Sequence, residues 1–128
     1  MEKFDSDYAT VDYIKKDNIV FLVWKREAHY DNYREPATFA LMLLKKYEHS
    51  NFLFDARNGF EDVESDVEWG MSFLLPEMKK AGCMQVGFIL NEVNDIEDEM
   101  DMWTKAFKQY FQVHRDISYE KVLKKMLQ

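Results

Sequence analysis

Cysteine, proline and glycine are all scarce in this 128-residue chain, with one, two and four copies. A lone Cys83 cannot close an internal disulfide, so a reducing, cytoplasmic setting is expected and a disulfide-stapled scaffold is excluded. Cys83 stands in Lys-Ala-Gly-Cys-Met-Gln, far along the chain from any histidine, which favours a structural thiol over a nucleophile. Four glycines are too few for a phosphate cradle built from backbone. Walker loops, dinucleotide glycine patterns and Gly-x-Ser-x-Gly elbows are all missing. His29, His49 and His114 are scattered, and no pair has metal-ligand spacing, so neither a metal nor a cofactor is expected. No apolar run approaches the ~18 residues of a membrane span. The opening MEKFDSDYAT has no apolar stretch, so no secretory leader is expected there. Positive charge is in deficit: 17 basic against 24 acidic residues give a net charge of −7, which argues against nucleic acid and anionic membranes as partners.

What is present is apolar and aromatic. Hydrophobic residues make up 47 % of the chain and aromatics 16 %, which excludes intrinsic disorder. The length fits one domain over residues 1–128, with an expected folded surface near ~7,000 Å². Residues 8–14 alternate, with Ala9, Val11 and Tyr13 on one side, and predict a half-exposed strand. Lys15-Lys16-Asp17-Asn18 supplies a turn, and Ile19–Trp24 is a strand covered on both faces. From about Asn32 to Tyr47 the period is helical, with Phe39, Ala40, Leu43, Leu44 and Tyr47 on one stripe. Phe52-Leu53-Phe54 and Val86–Leu90 are short buried strands, and Phe111-Gln112-Val113 is a third. Ser65-Asp66-Val67-Glu68 has the form of a capping box, predicting a helix with Ser65 at its N-cap and a stop at Ala81-Gly82. Ile96, Met100, Trp103, Phe107 and Tyr110 mark a third helix, and Tyr119 to Leu127 a fourth. The order ββαβαβαβα predicts an α/β fold. Its sheet should be five-stranded and mostly parallel, with an antiparallel N-terminal strand.

Four features could carry chemistry. Asp55-Ala-Arg57-Asn58-Gly follows a predicted parallel strand, at the edge where open α/β sheets form ligand crevices. There Arg57 could hold an anion that Asp55 or Asn58 orients; the alternative is an Asp–Arg pair that closes a loop. Residues 61–68 hold five acids and residues 92–101 hold six, neither run containing a base. Both precede helices, where acids complement the macrodipole, and neither has the sharp-turn glycine of a calcium loop. Trp69, Phe73 and Pro76 make a second stripe on the second helix, apart from Met71, Leu75 and Met78. Pro76 should kink that helix, and Trp69 with Phe73 is either a second buried side or a partner or homodimer surface.

The element order, the Phe-Leu-Phe-Asp55-Ala-Arg57-Asn58 segment, Ser65-x-x-Glu68-Trp69 and Leu75-Pro76-x-Met78-x-Lys80-Ala81-Gly82 together resemble the small bacterial SpoIIAA-like domains, also grouped as STAS/SEC14-like. The resemblance runs over roughly residues 8–127. It implies a β/α superhelical sheet and a non-catalytic binding or regulatory role. Better-understood relatives are anti-sigma-factor antagonists, switched by phosphorylation of a serine that falls here on Ser65. The family's Asp-Ser-Ser-Gly turn reads Val63-Glu64-Ser65-Asp66 in this chain, and a phosphate there would face Glu64, Asp66 and Glu68.

The leading expectation is a module binding a small apolar or anionic ligand, or a protein partner, through Asp55, Arg57, Asn58, Trp69 and Phe73. A regulator acting through the second helix, with Ser65 at its tip, is the second. An enzyme would need an acid/base pair such as Asp55 with His29 or His114.

Overall fold

The uninterrupted run Ile19–Trp24 forms β3, at the centre of a single six-stranded sheet. The computed structural model describes residues 2–128. Strands β1 (Phe4–Asp5), β2 (Ala9–Ile14) and β3 are antiparallel neighbours. From β3 onward, β4 (Asn51–Asp55), β5 (Gln85–Ile89) and β6 (Gln112–Asp116) add in parallel. The sheet therefore has six strands and mixed pairing, not the five strands expected. The extra strand is Phe4–Asp5, where two residues pair with Val11 and Thr10. Two residues are too short to show a period in sequence.

Strand order in space is strand order in sequence. Right-handed crossovers that always step the same way leave their helices on one face. Accordingly α1 (Asp31–Lys46), α2 (Glu64–Trp69), α3 (Leu75–Lys80) and α4 (Glu97–Lys108) cover one side of the sheet. Their core is aromatic: Trp24, Phe52, Phe54 and Phe88 project from the strands, and Trp103 and Phe107 come down from α4. Alternate strand residues face the other way. There α5 (Tyr119–Met126) packs Val122 and Met126 on Ile19, Leu53 and Ile89. It lies close because Gly87 has no side chain: a Cβ there would sit 2.4 Å from Val122 Cγ1 and 2.8 Å from Leu53 Cδ1. The accessible surface is 7164 Å². Among the described residues no helix is long and apolar enough to cross a membrane.

The second helix departs from expectation at its start and middle. Its N-cap is Val63, in extended conformation, and Ser65 lies inside the first turn without making a side-chain cap. The chain enters the helix two residues early because Asp66, not Ser65, has the anchored side chain. The Asp66 carboxylate accepts from Tyr30 N–H at 2.8 Å and Arg34 Nε at 2.9 Å. Since the Ser65 hydroxyl caps nothing, Ser65→Ala is expected to change stability by less than ~0.5 kcal/mol, the usual effect of a surface substitution. A urea denaturation curve displaced by more than that would restore the cap.

Helical backbone continues through Pro76, the second residue of α3. A π turn over Gly70–Leu74 joins α2 to α3, with Leu75 N–H bonding to Gly70 C=O. The inserted residue advances the following side chains by about 100° around the axis, and both Leu74 and Leu75 are buried. Gly70 also admits the Trp103 ring, whose Cη2 lies 2.7 Å from where a Cβ would stand.

Candidate functional site

Asp55 ends β4 on the face covered by α5, and its carboxylate is buried. It accepts from Arg57 N–H at 3.0 Å, from Arg57 Nε at 3.0 and 3.1 Å and from Arg57 Nη2 at 2.6 Å. These bonds raise the Arg57 pKa, and Glu120 on α5 adds to the effect. The Arg57 side chain is 51 % exposed, with Asn58 exposed beside it, and Asn91 Nδ2 bonds to Arg57 C=O at 2.8 Å. An anion would have to compete with Asp55 for a guanidinium already held along its Nε/Nη2 edge. Ligand crevices at strand ends open where strand order reverses. This sheet never reverses, so it has no switch point to open such a crevice beside Arg57. Arg57→Ala is expected to lower stability by on the order of 1–2 kcal/mol, the worth of charge-assisted bonds lost while the backbone N–H remains. Equilibrium unfolding in urea measures it. A loss of 3–5 kcal/mol, typical of breaking a buried pair, would show a purely structural link.

Trp69 and Phe73 lie on the other side of the sheet, on the helix layer, so the structure does not join them to Asp55, Arg57 and Asn58. Trp69 is half-buried: its ring packs edge-on to Tyr33 at 6.1 Å, and the Arg34 guanidinium lies 5.6 Å over it. Phe73 stacks tilted on Trp69 at 5.6 Å and is 41 % exposed. Ser65 is exposed nearby, and its carbonyl accepts from Arg34 Nη2. Neither histidine considered with Asp55 meets it: His29 Nε2 bonds to Glu27, and His114 Nε2 to Gln85. Cys83 is buried, and burial pushes its pKa up to about 12, which makes it a poor nucleophile.

A third place combines a cavity with unusual electrostatics. Beneath α1, α3 and α4, near the carboxyl ends of β3 and β4, lies a cavity of ≈ 60 Å³. Trp24, Tyr33, Phe54, Phe60 and Trp103 wall it, and Asp62 is its acidic group. Trp24 stacks on Tyr33 at 5.3 Å, and Phe60 sets its edge against Trp24 at 5.3 Å. Trp103 Nε1–H donates to both Asp62 Oδ2 at 3.1 Å and Glu99 Oε2 at 2.8 Å. Asp62 N–H also donates to Glu99 Oε2, at 3.3 Å. Two carboxyl groups thus share one indole donor. Burial, then the charges of Glu99 and Asp66, push the Asp62 pKa up to about 8. Tyr33 is raised well above its ordinary value, mainly by burial and then by the same acids. Arg34 answers Asp66; among the described residues no basic side chain pairs with Asp62 or Glu99.

Asp62 and Glu99 are inconspicuous in the sequence because they sit in acidic runs that look like ordinary helix starts. One signal does point to them. Glu99 lies four residues before Trp103, on the same helix face, and a buried indole N–H needs an acceptor.

No protein-family model, curated protein or solved structure matches this chain.

Proposed function

We propose that this chain is a non-catalytic, cytoplasmic binding module of the SpoIIAA-like kind, which takes the apolar part of a small ligand into the cavity beside Asp62. The observation that carries this reading is a void in an aromatic core with a carboxyl group on its wall. Cores are normally packed to crystal-like density, and ligand sites are mainly apolar with a few placed polar groups. The size suits a short chain: a ~150 Å³ cavity accepts benzene, and this one is smaller. Asp62 on its wall, with Glu99 beside it, favours a neutral or cationic head over an anionic one.

The test is NMR of the Trp103 indole N–H during titration with short-chain alcohols and amines. Binding should shift that resonance and raise the melting temperature. Ala37→Val, which fills part of the wall, should abolish the shift while the fold persists. A resonance unmoved by every compound of the panel would refute the reading.

A second reading rests on the exposed ring of Phe73 beside Trp69 and Arg34. This strip of α2 and its π turn would serve a protein partner, as regulators of the SpoIIAA-like family would use it. Phe73→Asp would then abolish partner binding and leave the Trp103 shift intact.

A further inference from the structure

We propose that the cavity's ligand is a short-chain primary amine in its ammonium form, with its alkyl chain among the aromatic rings and its charge between Asp62 and Glu99. The inference rests on the cavity being a ligand site and adds the chemistry of the head group. Four observations support it. Asp62 and Glu99 have no cation among the described residues, whereas the neighbouring Asp66 has Arg34. Between the two carboxyl groups lie one indole N–H, at 3.1 and 2.8 Å, and the Asp62 backbone N–H, at 3.3 Å from Glu99 Oε2, so acceptor capacity still exceeds donors. An ammonium group brings three N–H donors and the missing charge. The walls are aromatic, and aromatic faces attract cations. Finally, no three His, Cys, Asp or Glu among the described residues are grouped to hold a metal ion, which leaves an organic cation as the better fit.

Binding then has a proton balance. Below pH about 8 the free site holds a proton on Asp62. The arriving ammonium keeps its own protons and drives that one into solvent, leaving two carboxylates around one cation. No covalent bond changes. The groups facing Asp62 are Glu99 and Trp103 from α4, Asp66 from α2 and Tyr33 from α1, while Arg34 of α1 is bonded to Asp66. Tyr33 stays neutral throughout this range. His29 is held to Glu27 and reaches the site only through the Phe60 ring.

Isobutylammonium, isobutanol and isovalerate share one apolar chain and differ in the charge of the head. Titration calorimetry at about pH 6.5, in two buffers of different ionisation heat, measures both affinity and protons exchanged. Isobutylammonium is expected to bind at least tenfold more tightly than isobutanol and to release close to one proton, while isovalerate does not bind. Its Kd should fall about tenfold per pH unit from pH 6 to 7 and level off above about 8. Asp62→Asn and Glu99→Gln, each checked for native folding by circular dichroism, should remove the proton release and the preference for the amine. If isobutanol binds as tightly as the amine, or isovalerate binds best, the head-group assignment falls while the cavity stands. Amine binding without proton release, or unchanged in both variants, overturns the seat between the carboxyl groups. If none of the three binds, the assignment falls together with the reading of the cavity.

Discussion

Arg34→Ala should lower the unfolding free energy by about 3–5 kcal/mol, the loss expected when one partner of a buried ion pair is removed. Asp66 is 0 % exposed, and its carboxylate has two partners, the Tyr30 N–H and the Arg34 Nε–H. Truncating Arg34 leaves a buried anion with a single donor. Arg34→Lys should rescue little, because one ammonium cannot bond Asp66 and the Ser65 carbonyl as the fork of Nε and Nη2 does. Asp66→Ala alone should cost less, since the 34 % exposed Arg34 side chain can turn to water. The double variant Arg34→Ala/Asp66→Ala should be more stable than Arg34→Ala, because no unpaired charge remains buried. Urea unfolding of the four proteins completes the cycle. An Arg34→Ala loss below ~1 kcal/mol would show that this pair behaves as an ordinary surface bridge.

Asp62→Asn should produce the second large effect, and it should depend on pH. From about pH 4 to about 8 the folded protein keeps the Asp62 proton that the unfolded chain has already lost. The contribution is full below the unfolded pKa and is lost as the pH rises through the folded one. Each unit in that window removes up to ~1.4 kcal/mol from the unfolding free energy. Between pH 5 and 8 the wild-type chain should therefore lose on the order of 3 kcal/mol relative to Asp62→Asn. Asparagine keeps the shape and offers Glu99 a permanent donor, so the two proteins should be close at pH 5 and the variant more stable at pH 8. Urea midpoints at four pH values make the comparison. Parallel curves would mean that Asp62 is not the titrating group.

Much of this architecture is legible in sequence because it is written in apolar runs. Ile19–Trp24 is recognised at its observed ends, since every side chain in it is apolar and the strand lies mid-sheet. The fourth and fifth strands and the first helix are each placed within about two residues. The polar margins are harder. Strand β6 extends through His114, Arg115 and Asp116, which occupy a sheet edge where no apolar alternation is required. The second helix begins at Glu64 because of a contact from Asp66 to Tyr30, 36 residues away, which no local cap signal contains. The loop of Asp55, Arg57 and Asn58 is correctly read as a junction of strand and loop. Its side-chain bonds are i to i+2, the one range that a sequence shows directly. By contrast, Asp62 and Glu99 are 37 positions apart and meet only because α4 crosses the loop after β4. Charge runs conceal such meetings, since a solvated acid and a half-buried one are spelled alike.

The monotonic strand order bears on how the chain comes to be folded. Each strand pairs with its predecessor, so a nascent chain emerging from the ribosome can extend its sheet in the order of synthesis. The β2–β3 hairpin supplies the template, and each βα unit closes a loop onto an edge already present. The face with Ile19, Leu53 and Ile89 is different, because its cover is α5, the final helix in the chain. Until Val122 settles over Gly87, a nearly complete sheet exposes three aliphatic side chains beside an open β6 edge, and at this stage self-association competes with folding.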